Sequence, residues 1–382
     1  MPIGLDVIAD VFISLVAALV MSFAATPVVK SFAKRVGAMD VPTDNRRMHD
    51  HPIPRQGGLA IFLGFVLSVV FFADVTRRIQ GVLLGSVIVV VIGAIDDILD
   101  LKPWVKFLAQ TFAALVAVYH GVVIDVLSNP IVVSSVDYIN LGWAAAPLTV
   151  VWIVAITNAV NWIDGLDGLS VGVSGIASIT MLVIALIVAN GNTAIIMAAL
   201  AGACIGFMPY NINPAKIFAG DTGALLLGYV LSTMSVIGLF KFYAIISFAV
   251  PFLILALPIF DVVFNTVRRV AQGKKPWASD RGHVHHRLID MGLTQKQAVA
   301  ILYCISTALG LAAVVLTASG EVRALIFLLA FIVAAVIGVF VLKTARRDTR
   351  PGDSDSRDGD GRDARGGASK PGGEDTGDGD EL

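Results

Sequence analysis

Long apolar runs separated by short polar segments recur along most of this chain, and no other feature restricts its fold so strongly. Hydrophobic residues make up 56% of the 382 residues and charged residues only 15%, so a water-soluble fold could not cover these runs. Most approach the roughly 20 residues that an α-helix needs to cross a bilayer. We therefore predict an all-α polytopic membrane protein with about eleven transmembrane helices. The runs span approximately 7–28, 57–75, 80–95, 106–125, 144–161, 171–189, 193–209, 222–239, 244–266, 297–317 and 322–343.

The distribution of Lys and Arg predicts how these helices are oriented. One set of alternate loops carries 16 of these cations and the other set only four. By the positive-inside tendency the first set is cytoplasmic, which leaves the N-terminus outside and the C-terminus inside. Residues 1–345 would then form the membrane domain. Residues 346–382 are rich in Gly, Asp and Arg and cannot bury a core, so they are predicted to form a disordered, charged cytoplasmic tail.

Polar clusters occur at five successive cytoplasmic loops. The charges of the first, DVPTDNRRMHDHPIPRQGG, are explained as well by the positive-inside tendency as by a functional role. In the second, Asp96 and Asp97 end one apolar helix and Lys106 opens the next after Pro103. A charge at the centre of a membrane helix costs at least about 2.5–3.5 kcal/mol, and the helix dipole opposes acids at a helix C-terminus. We therefore expect the pair of acids to serve a cation, a basic substrate group or proton transfer.

The third loop contains four polar residues at a spacing of three: Asn158, Asn161, Asp164 and Asp167. They would share one face if the preceding helix continued. Gly165 and Gly168 favour instead an open backbone that a ligand can approach closely. Helix capping is an alternative explanation for such residues, but one cap needs only one of them.

Asp221 lies in the fourth loop, in the segment GDTG at the start of an apolar run. Free N–H groups at a helix N-terminus make this a natural capping position. Three other acidic clusters favour a second function for Asp221, as a ligand of a hard metal ion. Carboxylate and amide oxygens suit Mg²⁺, and no thiolate nearby would suit Zn²⁺.

The fifth loop holds a compact basic patch: Arg281, His283, His285, His286 and Arg287. Such a patch can hold a diphosphate through charge-assisted hydrogen bonds. Three histidines could also bind a transition metal, although the flanking arginines would repel it. Thr294 and Gln297, by contrast, have the spacing of a capping box that starts the tenth apolar run.

Acids suited to Mg²⁺ and a basic patch suited to phosphates, all on one membrane face, indicate phosphoryl transfer. Their position at the membrane surface favours one lipid substrate and one soluble nucleotide conjugate. An ion-coupled transporter is the competing interpretation, since membrane acids and histidines can relay protons. Transporter sites usually lie near the bilayer midplane, however, whereas these clusters lie at one face.

Four of these segments resemble, in order, motifs of the polyprenyl-phosphate N-acetylhexosamine-1-phosphate transferases: IDDILDLKPWVKFLAQ, NAVNWIDGLDGLS, NPAKIFAGDTGALLLGY and DRGHVHHRL. The likeness extends from about residue 28 to 300. The His-x-His-His-Arg pattern and HPIPRQGG are similar to the WecA and TagO branch, whereas the related phospho-MurNAc-pentapeptide transferases more typically have three consecutive histidines. The resemblance implies a multi-pass enzyme of the bacterial plasma membrane with its active site facing the cytoplasm. It would transfer GlcNAc-1-phosphate from UDP-GlcNAc to undecaprenyl phosphate, release UMP and start a cell-envelope glycan such as teichoic acid or O-antigen.

The same resemblance implies roles for individual residues. Asp221 would be the main Mg²⁺ ligand, with Asp164 as a second ligand and catalytic candidate and Mn²⁺ as a substitute metal. Asp167 and Asn211 would contact the nucleotide, and Asn161 would arrange metal and diphosphate. The three histidines would contact the pyrophosphate, with Arg281 and Arg287 beside them. Asp96, Asp97 and Lys106 would lie where the lipid phosphate enters. The catalytic candidates are Asp96, Asp97, Asp164 and His283.

The sugar and the mechanism stay open at this stage. Another UDP-N-acetylhexosamine or UDP-MurNAc-pentapeptide would use similar diphosphate chemistry, and the family likeness implies a homodimer without a nucleic-acid partner. Asp96 or Asp97 could form a covalent intermediate, or the lipid phosphate could attack directly. A phosphate monoester is largely dianionic at neutral pH, because its second pKa is near 6. We therefore favour direct attack, with Asp97 positioning the lipid phosphate.

Overall fold

Helices account for most of the structure. The computed structural model describes residues 4–42, 51–128, 138–238, 246–273 and 282–319. Within these ranges the α-helices are α1 Leu5–Val36, α2 Gly58–Phe72, α3 Arg77–Leu99, α4 Pro103–Tyr119, α5 Ala145–Trp162, α6 Leu169–Ile187, α7 Gly191–Asn211, α8 Gly220–Gly238, α9 Ile246–Ile254, α10 Ala256–Ala271, α11 Val284–Asp290 and α12 Gln295–Ser319. Two antiparallel hairpins join β1 (Met39–Asp40) to β2 (Ile53–Pro54) and β3 (Val126–Ser128) to β4 (Tyr138–Asn140).

The helices agree with a multi-pass membrane protein. In the described part of the chain, α1, α3, α5, α6, α7, α8 and α12 are long and apolar enough to cross a bilayer, and α2 and α4 are shorter apolar helices. Nine of the first ten predicted runs each overlap one α-helix, and the ninth run overlaps two. The eleventh, 322–343, and the tail at 346–382 lie outside the described residues, so the number of crossings stays a prediction.

The ninth apolar run differs from its prediction as one helix, because it is divided into α9 and α10 at Leu255. Pro258 lacks an N–H group and cannot donate to the carbonyl of Ile254, so it interrupts the helical ladder there. The resulting α10 has two different faces. Asp261 and Asn265 are buried, whereas Phe260 and Val263 are exposed.

The core is centred on α8, which is buried along nearly its whole length. Helices α2, α3, α5 and α6 pack around it, and α4 packs against α3 and α5. Apolar side chains such as Phe12, Phe71 and Phe112 are more than half exposed on the periphery. An apolar surface of this kind suits contact with lipid.

The helix pair α1 and α7 is held at close range by a small-residue motif. A side chain at Gly202 would lie 2.1 Å from the Leu15 carbonyl oxygen, and one at Gly206 would lie 2.2 Å from that of Leu19. This Gly-x-x-x-Gly spacing lets two backbones approach directly, as is common between membrane helices. Ser14 on α1 adds a hydrogen bond to the Ile195 carbonyl oxygen at 3.1 Å.

One local prediction from the sequence is confirmed. The Thr294–Gln297 capping box is formed in both directions. The Thr294 N–H donates to Gln297 Oε1 at 3.0 Å, and the Gln297 N–H donates to Thr294 Oγ1 at 3.3 Å.

Candidate active site

Three helices bring polar side chains together at Asp221, in the first turn of α8. Lys106 Nζ from α4 donates to Asp221 Oδ2 at 2.7 Å, and Asn161 Nδ2 from α5 donates to Asp221 Oδ1 at 3.0 Å. The same Lys106 ammonium group lies 3.0 Å from Asp96 Oδ2 at the end of α3. Lys106 is therefore a cation held between two carboxylates.

Asp97 caps α8, a function that its sequence context did not indicate. Its Oδ1 accepts from the Asp221 N–H at 2.9 Å, and its Oδ2 accepts from the Thr222 N–H and hydroxyl at 3.2 and 2.6 Å. The carboxylate is buried and lies at the positive end of a helix dipole, where an anion is stabilised. Asp97 lies near the C-terminus of α3, where the helix dipole disfavours a negative charge. The dipole of α8 favours that charge and offsets this effect. Its catalytic role stays a prediction.

Asp164 and Asp167 lie in the turn between α5 and α6, because the helix ends at Trp162. Asp164 Oδ1 accepts from Ser170 Oγ at 2.6 Å. Burial, followed by the negative charges of Asp221, Asp97 and Asp167, raises the Asp164 pKa to about 7, against the opposing hydrogen bond from Ser170. A cation bound near this carboxyl group would lower its pKa and stabilise its ionised form.

Asp167 joins this turn to the segment after α7. Its Oδ2 accepts from Asn213 Nδ2 at 2.9 Å and from the Ala215 N–H at 3.0 Å. Asn211 is buried and closes the same segment by donating to the Ile217 carbonyl oxygen at 3.0 Å. These contacts fix the path of the chain that leads to Asp221.

Two of the three histidines, His283 and His285, are held by contacts to other segments. His283 Nδ1 lies 2.6 Å from Asp261 Oδ2. His285 is buried against Gly165, where an added Cβ would lie 2.3 Å from His285 Nε2. The close approach that we predicted for a ligand at Gly165 is therefore made by a histidine ring. Burial and the neighbouring His286 lower the pKa of His285 to about 3, so at neutral pH this ring adds no charge to the patch.

A polar cavity of about 290 Å³ opens between these segments. It brings together many of the predicted site residues, and its titratable, basic and amide-bearing lining residues are Asp40, Arg55, Asp97, Asp164, Asp167, Asn211, Asp221, His286 and Gln295. Carboxylates predominate in this lining. A bound diphosphate would therefore need additional positive charge.

An apolar groove of about 920 Å³ lies on the other side of Lys106 and Asn161. Trp104, Phe107, Val151 and Val262 are among its apolar lining residues, and its polar members include Lys106, Asn158 and Asn161. A further apolar cavity of about 380 Å³ shares Val151 and Val262 with it, which extends the apolar surface along α5 and α10. Lys106 and Asn161 thus line the groove and also contact Asp221, which lines the polar cavity.

Some predicted residues lie elsewhere. Arg281 is outside the described residues, and the Arg287 guanidinium stacks over the Phe264 ring at 4.7 Å. His283 and His285 are not among the residues that line the polar cavity, whereas His286 is. The basic patch is therefore divided between a structural part and a part that faces the cavity.

Sequence reasoning missed Arg55 and Asp261. Arg55 stands in HPIPRQGG, whose charges the orientation rule already explained. Asp261 is an isolated acid within an apolar run. The free-energy cost of a charge in a membrane helix was the signal that could have identified it. It accepts from the Val284 N–H at 2.7 Å and from Asn265 at 3.1 Å, and so anchors the histidine segment to α10.

Comparison with known proteins places this site in a family. The family model described as glycosyl transferase family 4 matches residues 79–239. A Bacillus subtilis protein described as a probable undecaprenyl-phosphate N-acetylglucosaminyl 1-phosphate transferase is 40% identical over 309 residues, covering 80% of this chain and 85% of that protein. The chain belongs to the polyprenyl-phosphate N-acetylhexosamine-1-phosphate transferase family. The resemblance drawn from the sequence motifs is thereby confirmed.

Two other members of the family are 34% identical to this chain. The decaprenyl-phosphate N-acetylglucosaminephosphotransferase of Mycobacterium tuberculosis is 34% identical over 323 residues, covering 76% of this chain and 78% of its own. The undecaprenyl-phosphate alpha-N-acetylglucosaminyl 1-phosphate transferase of Thermotoga maritima is 34% identical over 268 residues, covering 70% of this chain and 78% of its own. All three relatives are transferases, so the transporter alternative gains no support from them.

Proposed function

We propose that this protein transfers GlcNAc-1-phosphate from UDP-GlcNAc to undecaprenyl phosphate, releases UMP and starts a cell-envelope glycan such as teichoic acid or O-antigen. The observation that carries the proposal is the meeting of an acidic cavity and an apolar groove at Asp221, Lys106 and Asn161. A soluble, charged donor fits the cavity, and a long hydrocarbon chain fits the groove. The names of all three relatives support transfer of N-acetylglucosamine phosphate to a polyprenyl phosphate. Two of these names specify undecaprenyl phosphate, and the third specifies decaprenyl phosphate.

The groove supports a specific position for the lipid. Its apolar walls would take the polyprenyl chain, and Lys106 would receive the phosphate as a point charge. Lys106 already lies between Asp96 and Asp221. A lipid phosphate bound there would lie next to the carboxylate that faces the nucleotide.

We propose Mg²⁺ as the metal, held by Asp221 with Asp164 as a second ligand, and Mn²⁺ as its substitute. Among the described residues, no three His, Cys, Asp or Glu side chains form a preassembled metal cluster. This agrees with Mg²⁺, which is commonly bound through one or two carboxylates together with substrate phosphates and water. Asp164 and Asp221 line the same cavity, which supports this location. When bound, the metal would neutralise charge on the phosphate oxygens.

The surroundings of Asp96 and Asp97 favour direct transfer. Asp97 accepts three hydrogen bonds from α8, and Asp96 accepts from the Leu101 N–H and from Lys106. Neither carboxylate is poised as a nucleophile. An oxygen of the lipid phosphate would attack the β-phosphorus, and the bond from that phosphorus to the oxygen of UMP would break. Asp97 would act as a positioning residue, because it fixes the first turn of α8.

The proposal includes the arrangement in the membrane. Eleven crossings with the N-terminus outside would place the acidic cavity in the cytoplasm of a bacterial cell, where UDP-sugars are made. The excess of Lys and Arg in one set of loops supports this orientation. A homodimer is expected from the family resemblance, and cross-linking in native membranes would test it.

The decisive experiment uses purified protein with undecaprenyl phosphate, Mg²⁺ and a panel of UDP-sugars. UMP release is measured with UDP-GlcNAc, UDP-GalNAc and UDP-MurNAc-pentapeptide in parallel, and the lipid product is identified by mass spectrometry. We expect the highest kcat/KM with UDP-GlcNAc. Release of UMP only with the pentapeptide donor would replace the proposed substrate, and no release with any donor would refute the function. Trapping of a phosphorylated enzyme on the reaction path would refute direct attack.

A further inference from the structure

Arg55 is a cation inside the acidic cavity with no role in the function described so far. It lies between β2 and α2 and lines the cavity together with Asp164, Asp167 and Asp221. Its side chain is 31% exposed. It is the one arginine or lysine among the described residues that line this cavity.

The backbone around Arg55 is fixed to the segment that precedes Asp221. The Arg55 N–H donates to the Ala38 carbonyl oxygen at 2.9 Å. On either side of Arg55, the Phe218 N–H donates to the Pro54 carbonyl oxygen at 2.9 Å, and the Gly57 N–H donates to the Phe218 carbonyl oxygen at 2.8 Å. The position of Arg55 is therefore coupled to that of Asp221 by hydrogen bonds.

The next residue, Gln56, has a backbone conformation that non-glycine residues seldom adopt, with a φ of 102°. Its Nε2 donates to the Ala94 carbonyl oxygen on α3 at 3.1 Å. Strain of this kind persists where the surrounding structure enforces it, and it is concentrated at functional sites. Here it accompanies the turn that directs Arg55 towards the cavity.

The guanidinium of Arg55 has unused donor capacity. Its Nη2 lies 3.6 Å from Asp40 Oδ1, which is a loose ion pair. Its Nε is buried and makes no hydrogen bond to the part of the chain that the structure describes. A buried donor without an acceptor is unfavourable, and a planar guanidinium is well matched to two oxygens of one phosphate.

We propose that Arg55 binds a phosphate oxygen in the diphosphate of the nucleotide sugar. This inference rests on the proposed function and extends it to a residue of the first loop. The lipid phosphate is the alternative ligand. It is assigned to Lys106 because Lys106 lines the apolar groove, whereas Arg55 lines the cavity that contains Asp167 and Asn211.

The test compares ligands that differ in their phosphates. Binding of UDP and of uridine, each with Mg²⁺, is measured by calorimetry on wild type, Arg55→Gln and Arg55→Lys in detergent. We expect Arg55→Gln to weaken UDP binding about ten- to hundredfold and to leave uridine binding unchanged, since charge-assisted hydrogen bonds have this magnitude. Arg55→Lys keeps the positive charge but loses the planar guanidinium that can donate to two phosphate oxygens at once. It should therefore bind UDP more tightly than Arg55→Gln and less tightly than wild type. Arg77→Gln, at the opposite end of α3 from Asp97, is the matched control.

Steady-state kinetics give the second measurement. We expect Arg55→Gln to raise KM for UDP-GlcNAc by a similar factor while KM for undecaprenyl phosphate is unchanged. Equal loss of UDP and uridine affinity would indicate a structural role and overturn the proposal, as would an increase in KM for the lipid alone. If Arg55→Gln does not fold, the ratio of UDP affinity to uridine affinity is compared between Arg55→Lys and wild type. An equal ratio in the two proteins would overturn the proposal. Activity of the wild type with UDP-GlcNAc separates these outcomes from failure of the proposed function.

Discussion

The acidic cavity and the apolar groove differ in almost every physical property, although they meet at the same side chains. The cavity is small, about 290 Å³, and is lined mainly by carboxylates and amides. The groove is about 920 Å³ and is lined mainly by apolar side chains of α4 and α5. Such a pair suits an enzyme that joins a water-soluble compound to a lipid.

The boundary between the two regions is only a few side chains wide. Lys106 and Asn161 line the groove and donate hydrogen bonds to Asp221, which lines the cavity. A reaction across this boundary needs no large movement of either substrate. Variants should therefore fall into three classes. Some should impair the reaction with both substrates, some should disturb the contacts at the boundary, and some should alter the kinetics with one substrate alone.

The largest effect is expected for Asp221→Asn. Loss of the carboxylate removes the proposed metal ligand and the partner of Lys106, so UMP release should fall by about a hundred- to a thousandfold. Asp100→Asn is a matched control, because Asp100 is exposed and its left-handed backbone, with a φ of 51°, also suits Asn. UMP release is measured over a range of Mg²⁺ concentrations. Equal activity of Asp221→Asn and wild type would exclude Asp221 as a metal ligand.

Lys106→Met should have the next largest effect. It leaves Asp96 and Asp221 without their shared cation and removes the proposed contact to the lipid phosphate. We expect kcat/KM for undecaprenyl phosphate to decrease ten- to hundredfold, the magnitude of a charge-assisted hydrogen bond. Lys102→Gln, an exposed change four residues away, is the control. A change confined to KM for UDP-GlcNAc would show that Lys106 belongs to the cavity instead.

Ala155→Trp tests the groove without altering a polar group. Ala155 lines both apolar cavities and is exposed, so an indole there would occupy the space that we propose for the polyprenyl chain. We expect KM for undecaprenyl phosphate to rise about tenfold, as for the loss of one to two buried methylene contacts, with KM for UDP-GlcNAc unchanged. Ala24→Trp on the exposed side of α1 is the control. Unchanged lipid kinetics in Ala155→Trp would place the chain elsewhere.

The parts of this arrangement that the sequence predicted are those that depend on nearby residues. Pro103 before Lys106, Asp221 at a helix start and the Thr294–Gln297 box are all set by local helix geometry. Asp97 could not be interpreted in this way, because the Asp221 N–H group that it accepts from lies 124 residues later in the chain. The position of Arg55 depends likewise on pairing between distant segments, which periodicity does not encode.

The histidines illustrate the same limit, and a smaller prediction follows from them. In sequence they form one basic patch, but the structure buries His285 and lowers its pKa to about 3. The unfolded chain binds a proton at His285 below about pH 6.5, whereas the folded chain does not until far lower pH. Stability should therefore be lost as pH falls below about 6.5, by about 2 kcal/mol at pH 5 from this residue.

Comparison with His285→Gln isolates this contribution, since His283, His286 and Asp261 are common to both proteins. Between pH 7 and pH 5, wild type should lose about 2 kcal/mol more stability than the variant in denaturant unfolding in detergent. His120→Gln, at the far end of α4 from Lys106, controls for removal of a histidine elsewhere. Parallel pH profiles of wild type and His285→Gln would show that folding does not lower the pKa of His285, and would contradict the burial of this ring against Gly165.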